Sequence, residues 1–155
     1  MNLRQAMAHV ADKPILLVED NDDDAFLLTR ALRTANIQDP VHTLTDGEEA
    51  LEYLKGNGKY SDRLQYPLPN LILLDLKLPR VSGFEVLEWI QNNTTLPPLV
   101  VVVLSSSGEK RDINMAYRFG ARSYLVKPPS AASFIDLANG LKLYWLQLNQ
   151  PPPRV

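Results

Sequence analysis

Leu71-Ile72-Leu73-Leu74-Asp75-Leu76-Lys77-Leu78-Pro79 is the stretch on which the reading of this chain turns. Four consecutive aliphatic residues suit a short strand buried on both faces of a sheet. The run ends in a carboxylate, and Pro79 then bars the strand from continuing. An acid at the carboxyl end of a buried strand stands where open α/β sheets place their chemistry. Taken alone, Asp75 serves equally well as a strand terminator. The decision rests on whether other charged residues converge on it.

Upstream, Ile15-Leu16-Leu17-Val18 is a second aliphatic run, closed by Glu19-Asp20-Asn21-Asp22-Asp23-Asp24. Phe26, Leu27, Ala31, Leu32 and Ala35 follow at helical spacing, which puts the acids between a strand and a helix. The acids from Asp22 to Asp24 read as complements to a helix N-terminus. Residues 41–44 make a short strand candidate whose His42 reads as incidental. Asp46 and Glu49 read as a capping box opening a helix with Ala50, Leu51 and Leu54 inward. Residues 56–69 are polar and rich in Gly, Pro and Tyr, long enough for a binding loop or an insertion.

Downstream, Ser82 and Glu85 form a second capping box, with Phe84, Leu87 and Ile90 behind it. Residues 99–104 are the clearest buried strand, and Ser105-Ser106-Ser107-Gly108 leads from it to a helix stopped by Gly120. Residues 123–126 make a last strand, ending in Lys127-Pro128-Pro129. Ser130 then caps a helix with the apolar stripe Phe134, Leu137, Leu141, Trp145 and Leu148. Pro151-Pro152-Pro153 suits an extended, polyproline-like tail.

Five strands alternating with five helices call for an α/β fold, a parallel sheet with right-handed crossovers. The 155 residues fit one domain, with an N-terminal extension over 1–13, a globular body over 14–148 and a Pro-rich tail over 149–155. A net charge of −2 gives no electrostatic case for nucleic acid or an anionic membrane surface. The absence of Cys excludes disulfides and thiol chemistry. No apolar run approaches the ~20 residues that span a bilayer, and no signal-peptide core opens the chain. The expectation is a soluble, cytoplasmic protein.

In the doubly wound order 2-1-3-4-5, strands one and three are neighbours flanking the switch point. Glu19 and Asp20 leave strand one, and Asp75 leaves strand three, at the same end. Carboxylates that close repel one another unless a cation neutralises them, and an all-oxygen set at an exposed rim suits Mg2+. The same order brings Ser105 beside Asp75 and then Lys127 from strand five. An acid, a metal site, a hydroxyl and an ammonium are the parts needed to phosphorylate a carboxylate. Each has an ordinary structural reading alone; jointly, four strand ends with matching groups point to Asp75 as a nucleophile.

With these residues assembled, the chain resembles the receiver domains of two-component response regulators, a five-stranded, flavodoxin-like (βα)5 fold, over about residues 14–148. The motifs are Ile15-Leu16-Leu17-Val18-Glu19-Asp20-Asn21, Leu74-Asp75-Leu76-Lys77-Leu78-Pro79 with Gly83, Val103-Leu104-Ser105, and Tyr124-Leu125-Val126-Lys127-Pro128. The resemblance implies Asp75 as phosphoacceptor and a Mg2+ site served by Glu19 (through water), Asp20, Asp75 and the backbone carbonyl of Lys77. It makes Ser105, with Ser106 beside it, the switching hydroxyl position, Tyr124 the switch aromatic and Lys127 the phosphate partner. It implies a cis Lys127–Pro128 bond, and leaves Pro79 and Gly83 as the turn that keeps the site open. Glu19 stands where many members have Asp, and Pro129 is an unusual neighbour for the Lys-Pro pair.

Within the family, the insertion over 56–69 and the long last helix resemble the single-domain regulators associated with bacterial phytochromes. The expected kinase is therefore a histidine kinase of bacteriophytochrome type. No DNA-binding or catalytic output region follows, so output by protein contact is expected, and Leu141, Trp145 and Leu148 are the candidate surface for a homodimer or partner. Three rival readings fit the residues less well. A flavodoxin-like nucleotide binder needs a phosphate cradle where this chain has acids. A haloacid-dehalogenase-like phosphatase would use Asp20 and Asp22 and leave Asp75 without a task. A receiver that works without phosphorylation would have lost one of the groups that are all retained here.

Overall fold

The structure, a computed structural model, describes residues 13–150. Most of the N-terminal extension and the Pro-rich tail read from the sequence lie outside the described residues. In chain order the elements are β1 (Ile15–Val18), α1 (Asp22–Thr34), β2 (Val41–Leu44), α2 (Gly47–Lys55) and β3 (Leu71–Leu74). Then come α3 (Gly83–Asn92), β4 (Val101–Ser105), α4 (Lys110–Arg118), β5 (Ser123–Val126) and α5 (Ala131–Leu141). The last helix runs on as π-helical turns over Lys142–Leu148.

All strand pairs are parallel, in the order β2-β1-β3-β4-β5. This is the doubly wound order expected from the sequence. Strand side chains alternate between faces, so the buried runs divide into two cores. Leu16, Val18, Ile72, Leu74, Val101 and Val103 pack with Tyr53, Leu54, Val86 and Leu87, which belong to α2 and α3. Ile15, Leu17, Leu71, Leu73, Val102 and Leu104 pack with Leu28, Leu32, Phe134 and Leu141, from α1 and α5. Each such side chain contributes about 1.5–3 kcal/mol by leaving water. Two layers of helix thus clamp one sheet and leave its carboxyl edge free for polar residues.

Several local expectations change. Strand β4 begins at Val101, two residues later than the aliphatic run suggests. The Ser82–Glu85 capping box is reciprocal, with Glu85 Oε2 accepting from Ser82 N at 2.7 Å. The Asp46–Glu49 box is not. Asp46 caps Glu49 N at 2.7 Å, but the Glu49 carboxylate accepts from the Tyr60 hydroxyl at 2.6 Å and from Thr45 N. Among the described residues no peptide bond is cis, so Lys127–Pro128 is trans, contrary to the resemblance. Trans is the intrinsically preferred isomer by about 0.5–1 kcal/mol.

The 56–69 stretch is not a loose insertion. Arg63 donates to the carbonyls of Tyr53 (2.8 Å), Tyr66 (3.1 Å) and Leu54 (2.7 Å), which ties the loop to the end of α2. The rings of Tyr53, Tyr60 and Tyr66 meet one another tilted or edge to face, with centroids 4.9–6.0 Å apart. His42 is part of this cluster, 6.0 Å from both Tyr53 and Tyr66. Its role is packing, a task a lone strand histidine does not advertise.

The apolar stripe on the last helix also divides. Leu141 is buried in the core with Phe134, and Leu137 and Trp145 pack partly against it. Leu148 is 63% exposed, with Leu143 and Tyr144 also open to solvent. Leu141 therefore leaves the candidate partner surface, because it lies two helical turns past Phe134 on the same inward face, before the π turns begin at Lys142.

Candidate phosphoacceptor and cation site

Register builds the site. Val18 pairs with Leu74, so Glu19 and Asp75 leave neighbouring strands side by side. The Asp75 N–H donates to the Val18 carbonyl (3.0 Å), and Glu19 N donates to Leu44 O (2.9 Å). Both acids start from fixed backbone, and both are buried, at 4% and 6% exposure. Ser105 pairs with Val126, and Lys127 N donates to Ser105 O at 2.7 Å. That carries the Lys127 side chain to the same edge.

Close approach fixes the turn after Asp75. A Cβ at Gly83 would lie 2.3 Å from the Asp75 carbonyl oxygen, so only glycine lets α3 start this close to the acceptor strand. Gly83 N also donates to Leu76 O at 2.9 Å. Pro79 lies within this turn, its carbonyl accepting from Val81 N at 2.8 Å.

Lys127 Nζ bonds three carboxylates, Glu19 Oε1 at 2.5 Å, Asp24 Oδ2 at 2.9 Å and Asp75 Oδ2 at 3.1 Å. An ammonium has three donors, one for each. Burial alone would lower the Lys127 pKa; hydrogen bonds to Glu19 and Asp24 and the charge on Asp75 outweigh it and hold the ammonium above the usual lysine range. Burial raises the Glu19 carboxyl, Lys127 opposes this, and Asp75 adds to the rise, leaving it at about 7. Three acids from three elements share one cation.

Glu19, Asp20 and Asp75 each offer an oxygen within 4.8 Å of the others. Two are buried and Asp20 is exposed, so an ion held there has protein on one side and water on the other. All-oxygen donors in that arrangement fit Mg2+, which binds through few carboxylates and keeps several waters. Lys77 is exposed, and its N–H lies 3.4 Å from Asp75 Oδ1.

The sequence-predicted residues do not all gather at this point. Glu19, Asp20, Asp75 and Lys127 do. Ser105 is fully buried at the end of β4, and its Oγ accepts from Ser107 N at 3.2 Å. Ser106 is exposed. Tyr124 is half-buried against the core and donates its hydroxyl to the Ser107 carbonyl at 2.8 Å. Asp22 is exposed at the start of α1, and it is Asp24, not Asp22, that reaches Lys127.

Two further residues tie this edge together without a signal in the sequence. Ser107 ties the β4–α4 loop together, donating from its Oγ to Asp112 Oδ2 (2.6 Å) and accepting from Glu109 N (3.2 Å). A serine in a run of three carries no signal of this. In the sequence Asp24 reads as a helix-end acid. Its place on α1 faces the β5 end only once the sheet is assembled.

The sequence profile of the response regulator receiver domain family matches residues 15–139. The chain is 39% identical to the probable methanogenesis regulatory protein FilR2 of Methanothrix harundinacea, over 89% of this chain and 86% of that one. It is 37% identical to the response regulator Rcp1 of Synechocystis, over 87% of this chain and 90% of that one. The crystal structure of Mn2+-bound Rcp1 superposes with a TM-score of 0.81, at 36% identity, over 91% of this chain and 99% of that one. The phosphorylated cyanobacterial phytochrome response regulator RcpA superposes with a TM-score of 0.84, at 37% identity, over 92% and 100%. With the match covering most of its length, the chain belongs to the response regulator receiver domains of two-component signalling and is akin to single-domain, phytochrome-associated members.

Proposed function

We propose that this protein is a phosphorylation switch in which Asp75 accepts a phosphoryl group from the phosphohistidine of a histidine kinase, one of bacteriophytochrome type. The observation that carries this reading is the meeting of Glu19, Asp20 and Asp75 with the Lys127 ammonium at one sheet edge. An Asp75 carboxylate oxygen attacks phosphorus, the phosphorus–nitrogen bond breaks, and the electron pair stays on the kinase imidazole. The protein's part is alignment and charge compensation, since the acyl phosphate needs no further covalent chemistry from it.

Glu19, Asp20, Asp75 and the Lys77 carbonyl would hold Mg2+, which supplies positive charge to the phosphoryl oxygens. Lys127 leaves its bond to Asp75 and pairs with the phosphoryl group. Ser105 donates its hydroxyl to a phosphoryl oxygen, with Ser106 N–H and hydroxyl on the open side of the same loop. The β4–α4 loop, held through Ser107 and Tyr124, is the element with two arrangements for this change to bias. The protein turns over no external substrate; its reactions are gain and loss of its own phosphoryl group. Output is by protein contact, with residues 14–148 as the receiver body and the exposed end of the last helix, Leu148 with the flank of Trp145, as the homodimer or partner surface.

The test is transfer of a radiolabelled phosphoryl group from an autophosphorylated bacteriophytochrome. Label is expected on the wild type and absent from Asp75→Ala. Label persisting on Asp75→Ala contradicts the assignment.

A further inference from the structure

Lys127 has one carboxylate partner more than the phosphoacceptor site requires. Glu19 and Asp75 belong to the cation's donor set; Asp24 does not. Its Oδ2 lies 2.9 Å from Nζ, and its side chain is 31% exposed, against 4% and 7% for those of Glu19 and Asp75. The ammonium is therefore bonded inward to two cation ligands and outward to one acid at the rim. A divalent cation entering among Glu19, Asp20 and Asp75 meets a like charge within hydrogen-bond distance of two of its ligands. Like charges that close oppose each other strongly in a site with little water. Lys127 must give up those two bonds, and Asp24 is the partner left to it.

The position of Asp24 suits this task. It is the third residue of α1, and its own N–H donates to the Asn21 side chain at 2.9 Å, so the helix cap fixes its backbone. Its carboxylate is not used in capping and is free to face the end of β5. Asp22 and Asp23 share the helix end and its dipole but are exposed. Complementing the helix N-terminus explains an acid at any of the three positions; it does not explain why one of them bonds Lys127.

We propose that Asp24 is a positioning residue that holds the Lys127 ammonium at the rim when Glu19 and Asp75 turn to the cation. Without it, Lys127 leans on those two acids and competes with the metal for them. This inference rests on the phosphoacceptor reading above.

The test is Mn2+ titrated into the metal-free full-length chain at constant ionic strength. Bound ion is read from loss of the free-ion paramagnetic resonance signal, and Mg2+ is then added in competition. Asp24→Asn is expected to weaken cation binding about three- to tenfold. Asp23→Asn, with the same charge change one residue away on the same helix turn, is expected to stay within about twofold of wild type. In a Lys127→Met background, the excess effect of Asp24→Asn over Asp23→Asn should vanish. Equal effects of the two Asn variants, or an Asp24 effect that survives loss of Lys127, overturn the proposal. A wild type that binds neither ion overturns the underlying site reading instead, so the two failures are distinct.

Discussion

Lys127 shows most plainly how one residue's chemistry depends on its surroundings. Three carboxylates surround one buried ammonium, and removing it leaves Glu19 and Asp75 buried beside each other without a counter-charge. Lys127→Met is expected to destabilise the cation-free protein by about 3–5 kcal/mol, the range for breaking a buried ion pair. Saturating Mg2+ should recover much of that loss, because it supplies the missing charge. Urea unfolding with and without Mg2+ measures both, and an equal loss in the two conditions contradicts this view. Asp75, Glu19, Asp20 and Lys127 were legible in the sequence because each lies within two residues of a strand's end, and strand order fixes which ends are neighbours. Asp24 was not, since an acid in a helix's first turn looks the same whether it faces water or a lysine about a hundred residues on.

At the scale of elements, the strands could be read because aliphatic runs with no polar interruption suit a sheet covered on both faces. The loop over 56–69 could not, because its order comes from one guanidinium reaching back to the carbonyls of Tyr53 and Leu54. Arg63→Ala is expected to cost about 1.5–3 kcal/mol, the range for hydrogen bonds to a charged group, by thermal or urea unfolding. An unaltered midpoint would mean the tyrosine rings hold the loop unaided. The same cluster makes a pH prediction. Burial against the tyrosine rings lowers the His42 pKa from 6.5, so the folded state binds that proton less readily than the unfolded chain. Its contribution is complete above about pH 6.5 and is lost as pH falls toward the lowered folded value. His42→Phe, which keeps a ring, should flatten that part of the stability–pH curve; an unchanged slope assigns the proton uptake elsewhere. The last helix was half legible. The i, i+4 stripe located its inner face as far as Leu141, but helical periodicity does not announce a change to π turns.

For the whole molecule, alternation announces only a parallel, doubly wound sheet; the order 2-1-3-4-5 is one of the common ones, and it carries the site because parallel strands deliver all their carboxyl ends to one edge. What periodicity cannot specify is the outer surface. Leu148, Tyr144 and Leu143 lie exposed together at the end of the last helix. If that end joins two copies, sedimentation should show a dimer that Leu148→Asp shifts to monomer, and a strict monomer with and without phosphoryl donor would leave the surface to another partner. The central claim concerns Asp75 itself. Intact-mass measurement of the chain after incubation with acetyl phosphate and Mg2+ tests it most directly, with Asp75→Ala alongside. One added phosphoryl group is expected on the wild type, lost on removal of Mg2+ and absent from the variant; a wild type that gains none, or a variant that gains the same mass, would contradict it.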